Sequence, residues 1–216
     1  MSSHFRLSYV ALPLLTTLFA PGCVDPKGAF DDFGDRVVDA STAAPDDGGT
    51  GGFDGAIPDL TGAYLLSLAA TQPAPVNPIR FIVNIDFTAG DSGGTANLTI
   101  QPLAVESCAE GMGGMPIGDM LTIPDVSIAA NGQFAITANG TTVDGMANPL
   151  LCGVPITSDI ELTGSLQTAE LLCGTVGGHV SAPIEGDLVG TFGAIKLTEP
   201  VMFGDANLPA AVTACP

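Results

Sequence analysis

From residue 58 onward, hydrophobic and polar residues alternate along this chain with a period of two. In the segment 79–87, Ile79, Phe81, Val83, Ile85 and Phe87 share one face, while Arg80, Asn84 and Asp86 fall on the other. The segment 156–166 repeats the pattern, with Ile156, Ile160, Leu162 and Leu166 opposed by Thr157, Asp159, Glu161 and Thr163. Successive side chains of a strand point to opposite faces, so each segment predicts a half-buried antiparallel strand. Weaker alternation extends the set to eight strands, at 61–70, 79–88, 94–104, 119–129, 132–144, 156–168, 170–180 and 184–198. Asn131-Gly132 supplies a tight hairpin between the fourth and fifth, and Pro124, which has no N–H for a ladder, marks a bulge or edge in the fourth. Short strands joined by local turns predict an all-β fold, an antiparallel up-and-down barrel of about eight strands or, alternatively, a β-sandwich. The composition agrees, because 28 Gly, 17 Pro and only 13% charged residues describe a turn-rich, apolar chain rather than a helical one.

The first residues obey a different pattern. After "MSSHFR" comes the largely apolar run Leu7 to Ala20, too short to span a bilayer and shaped like the hydrophobic part of a secretory signal. It ends in Ala20, Pro21, Gly22 and Cys23, with the small residues that a signal peptidase requires. This stretch resembles a bacterial lipoprotein signal, the lipobox. The resemblance implies cleavage after residue 22, a signal peptide at 1–22, and acylation of Cys23 as the first residue of the mature protein. Val24, rather than Asp, follows Cys23. By the sorting rule of that class, this implies an outer-membrane lipoprotein, its partner being the membrane that takes up the acyl chains.

Residues 23–57 hold many carboxylates, the run "DDGGTGGFDG" and few large apolar side chains, so they predict a disordered acidic linker. The antiparallel β domain then occupies 58–216. A formal charge of -18 repels phosphate backbones and argues against nucleic-acid binding. "GGTGGFDG" offers one displaced copy of a calcium-binding glycine repeat, which a linker explains better.

Five cysteines cannot all pair within one chain. Setting Cys23 aside leaves Cys108, Cys152, Cys173 and Cys215, the even number expected for two disulfides in an oxidising compartment. If strands alternate in direction, the third and fifth finish at the same end, which pairs Cys108 with Cys152. The seventh starts at the opposite end, where the eighth finishes, which pairs Cys173 with Cys215. A hairpin at Asn139-Gly140 would split the fifth strand and reverse that parity.

"LTGAYLL", residues 60–66, resembles the opening strand of a lipocalin, with Gly62, Ala63 and Tyr64 in place of Gly-x-Trp. The resemblance implies a barrel closed at its floor by an aromatic ring. The chain departs from that family in having no Trp, and no Arg near its last strand.

Catalytic constellations do not assemble from the sequence. "GDSGG", residues 90–94, is identical to the nucleophile motif of chymotrypsin-like serine proteases, but Ser92 needs a base, and the one histidine after the signal segment, His179, follows it by a long stretch. A polar turn explains the motif better. The cysteines lack Cys-x-x-Cys spacing for zinc, Asp86 and Asp91 flank a loop without a calcium pattern, and Asp159 with Glu161 sits on a polar face. Glu185 and Asp187 form a second such pair. No catalytic residue, metal ligand or cofactor is expected, and the protein reads as a non-enzymatic envelope protein. Its β domain is expected to bind a small apolar ligand or, alternatively, to act as a filled barrel in structural or protein-interaction roles.

Overall fold

A computed structural model describes residues 56–216. The signal segment 1–22, Cys23 and the linker as far as residue 55 lie outside the described residues. The strands are β1 (Gly62–Gln72), β2 (Ile79–Gly90), β3 (Gly93–Pro102), β4 (Leu121–Ala129), β5 (Gln133–Val143), β6 (Ile156–Thr168), β7 (Leu171–Ala182), β8 (Gly186–Asp187) and β9 (Val189–Lys196). Each strand pairs antiparallel with its predecessor as far as β7, β9 pairs with both β7 and β1, and the sheet thereby closes on itself. This is a closed eight-stranded barrel with the short β8 added beside β7, so the sandwich alternative falls.

The last predicted strand is divided. β8 and β9 keep one register against β7, but the ladder is interrupted where Gly178, at φ +125°, opposes Leu188, whose N–H is given to the Gly178 carbonyl. Asn139-Gly140 does not make a hairpin. Gly140, at φ +61°, lies in a bulge between Ala138 and Thr141, and its N–H is given to Asp159 at 2.7 Å. The parity of the strands therefore survives, and the disulfides are Cys108–Cys152 and Cys173–Cys215.

The interior is built from the apolar side of the alternation. Tyr64, Leu66 and Leu68 of β1 face Phe81, Val83 and Ile85 of β2, and Ala96, Leu98 and Ile100 of β3 continue the lining. Full burial of one such leucine or phenylalanine stabilises by about 1.5–3 kcal/mol, so the inner layer dominates the driving force. One cross-strand row shows how the interior is filled. Phe134 pairs with Gly164, Gly164 with Gly174, Gly174 with Phe192, and Phe192 with Leu68. The two phenylalanine rings sit 6.2 Å apart at 56°, over the space that the two glycines leave. A smaller cluster lies outside the barrel, where the C-terminal tail brings Leu208 against Ala63, Leu65, Ile82 and Leu103.

Candidate functional site

Alternation of strand direction gives the barrel two unlike ends. The turns after β2, β4 and β6 and the start of β1 lie at one end, and the longer loops after β1, β3, β5 and β7 lie at the other. The first end is closed by Tyr64. Its ring is fully buried, its hydroxyl donates to the Ala169 carbonyl at 3.2 Å, and the Lys196 ammonium stands 5.7 Å from the ring centroid. Gly62, at φ +136°, permits that approach, since a Cβ there would come within 3.1 Å of the Lys196 side chain. Cation and ring face attract each other, so Lys196 ties the last strand to the first across the Tyr64 ring.

Burial, with the charges of Asp59 and Glu170 added, pushes the Tyr64 phenol up to about 12. The folded state therefore holds its proton more tightly than the unfolded chain, whose phenol titrates at about 10. Below pH 10 the contribution of the buried phenol is complete, and between about 10 and 12 it is lost as the unfolded state ionises first. Urea midpoints across this alkaline range should fall steeply for the native protein and less steeply for Tyr64→Phe; parallel curves would remove Tyr64 as the cause.

Between the two ends lies a string of three apolar voids. The outermost, about 70 Å³, is bordered by Val76, Ile79, Ile156, Ile184 and Leu188 under the long loops. The middle one, about 50 Å³, shares Leu68, Phe81, Val143 and Ile160 with it. The innermost, also about 50 Å³, shares Leu66, Ile100, Ile136 and Leu162 with the middle void and reaches Tyr64 and Phe192. Among the outermost void's lining, the polar side chains are Asn148 and Ser158. Asn148 is 1% exposed and organises the loop above it, accepting the Leu150 and Leu151 N–H groups and donating to the Val154 carbonyl at 2.8 Å. Alternation could not reveal Asn148, because it lies in a loop and its neighbours arrive from distant segments.

The chemistry-bearing residues noted in the sequence do not converge. Asp91 and Ser92 form a two-residue turn between Gly90 and Gly93, which are the last pair of the β2–β3 ladder, at the closed end. His179 lies toward the other end, 3.7 Å from Asp187 and 3.9 Å from Glu185, with all three side chains solvent-accessible. Asp159 and Glu161 are exposed on the outer wall, and Asp86 and Asp91 are exposed on β2 and in its turn. Among the described residues no group of His, Cys, Asp and Glu is placed to hold a metal ion. No protein-family model, curated protein sequence or solved structure matches the chain.

Proposed function

We propose that this chain is a lipid-anchored cell-envelope protein whose barrel is a non-catalytic carrier of one slender apolar molecule. The observation that carries this reading is the axial string of apolar voids running from Ile184 to Tyr64. Magnitudes select the ligand. Sites for compact, drug-sized molecules measure about 300 Å³ or more, and none of the three voids in the string exceeds about 70 Å³; the clefts of about 700 and 520 Å³ lie elsewhere, against Cys173 and Cys215 and under the C-terminal tail. A fused-ring ligand is excluded on size, whereas an unbranched alkyl chain threads the string once the shared leucine and isoleucine side chains rotate. Water is a poor occupant, because a buried water needs 2–4 polar partners and the lining supplies few.

Charge selects the head group. The described residues include the basic side chains Arg80 and Lys196, of which Arg80 is paired with Asp205, against a large excess of carboxylates. An anionic head is repelled, so the ligand carries an uncharged or zwitterionic one. The same small volumes favour a second reading, a filled barrel that serves as an interaction protein. A conjugated polyene alcohol, whose emission rises in apolar surroundings, separates the two. The carrier reading expects saturable binding that weakens about tenfold or more in Ala138→Leu, which fills the middle void. No saturable binding by the native protein leaves the filled-barrel reading.

The anchor rests on "LFAPGC" and on the pairing of the other four cysteines with one another. Acyl chains on Cys23 contribute roughly 0.8 kcal/mol per buried CH₂, enough for several chains to hold the protein without a spanning helix. Cys23→Ala is expected to move the protein from the outer-membrane fraction to the soluble one. Unchanged fractionation would refute acylation.

A further inference from the structure

The ladder around the barrel stops early at one place. β4 and β5 pair at Ile128 with Phe134, beside their hairpin turn, and no further register pair follows. By contrast, β2 and β3 pair without interruption from Phe81 with Pro102 to Gly90 with Gly93. The cause is local. Pro124 brings no N–H, Asp125 has φ +55° with its own N–H given to Asn97, and the β3–β4 register shifts between Ala96 and Leu98. On the other strand, the Asn139-Gly140 bulge shifts the β5–β6 register between Ala138 and Thr141. A bulge bends and twists its strand, and here two bulged strands face each other across one seam.

The seam has defined borders. The Asn131-Gly132 hairpin closes one end, and Cys108–Cys152 ties the loop entering β4 to the loop leaving β5 at the other. Directly behind it lies the middle void, lined by Leu121 and Ile123 of β4 and by Ile136, Ala138, Thr141 and Val143 of β5. Leu121 and Ile123 remain half-buried there.

We propose that this seam is a lateral access slot through which the unbranched chain of a neutral or zwitterionic lipid passes sideways into the barrel. The proposal rests on the carrier reading above. Admission from the loop end must displace the loop held by buried Asn148 and its hydrogen bonds to residues 150, 151 and 154. Elsewhere around the wall, it must break a strand ladder, each bond of which contributes about 1 kcal/mol net. At the seam there is no β4–β5 ladder to break beyond Ile128 and Phe134, and the strands on either side already end in apolar residues facing the void. The ligand enters along its length, and its head group stays outside beside Asp125, an environment that again disfavours an anion.

A staple across the seam tests the slot. In the full chain carrying Cys23→Ser, exposed Thr122 of β4 and exposed Thr142 of β5 are both changed to Cys and joined by a short bifunctional maleimide. The control staple joins Thr88→Cys and Thr95→Cys, a register pair of the intact β2–β3 ladder. With the polyene alcohol as probe, the seam staple is expected to slow both loading and release by about tenfold or more while leaving the equilibrium affinity unchanged, as for a gate rather than a contact. The control staple is expected to leave both rates unaltered. If the seam-stapled protein loads as fast as the control, the slot is wrong and the carrier survives. If the unstapled protein binds no probe, the carrier and the slot fall together.

Discussion

Removing the Cys108–Cys152 disulfide by a double change to serine is expected to lower stability by about 4 kcal/mol, or roughly 10 °C in Tm. The loss is the chain entropy released to the unfolded state by a loop whose ends are 44 residues apart. A domain of this size holds only about 5–15 kcal/mol in total, so the loss is a large fraction of it. Cys173–Cys215 closes a nearly equal separation of 42 residues, and its removal should cost a similar amount through the unfolded state. The native states differ. Cys108–Cys152 straps the end of a seam that carries one register pair, whereas Cys173 sits within β7 between laddered neighbours. Any excess loss in the first variant therefore measures what the strap does for the folded barrel. Urea unfolding of both double variants, with amide exchange in β4 and β5, provides the comparison. Equal losses with unchanged exchange in those strands would show that the seam holds without its strap.

The second large effect is expected at Gly174. A Cβ built there would lie 2.1 Å from the Thr163 carbonyl oxygen and 2.6 Å from the Gly164 Cα, both backbone atoms that no rotamer change can move. Gly174→Ala must therefore push β6 and β7 apart at the middle of their ladder, and it should cost about 3 kcal/mol or more. Gly164→Ala meets the Phe134 and Phe192 ring tips at 2.8 and 2.7 Å, which can partly yield, and the Cys173 carbonyl at 2.8 Å, which cannot. It should cost less than Gly174→Ala. Gly140→Ala meets nothing within 4 Å, so only the left-handed backbone is strained, at about 1–2 kcal/mol. Chemical denaturation of the three variants should return that order. A mild Gly174→Ala would mean that the β6–β7 wall is looser than its ladder implies.

The disulfide could be placed from the alternating strands, and the glycine pair could not. The apolar faces of β2 and β6 were legible because a strand exposes its two faces to two solvents, and the sequence records that directly. The disulfide pairing was legible as well, since local turns reverse direction and direction alone sorts the cysteines to two ends. It held because Gly140 took up a bulge instead of a turn. The glycine pair was not legible, because Gly164 and Gly174 meet through a register that only the closed sheet defines. The same is true of the voids. Leu66, Ile100, Ile136 and Leu162 come from four strands, and the space between them depends on how the barrel closes rather than on any one strand. Lys196 over Tyr64 likewise joins the last strand to the first.

The sequence by itself determined the all-β class, the apolar faces of the strands, their order of reversal and the sorting of the cysteines, because alternation and local turns are written in residues near one another along the chain; the division of the last strand into β8 and β9 was not among them. Only the tertiary structure decided between sandwich and barrel, through the pairing of β1 with β9 across most of the domain. It also opened the seam between β4 and β5, where two bulges meet and the ladder ends. Closure and its failure both depend on how distant backbones twist toward each other, and alternation along a single strand carries no information about that.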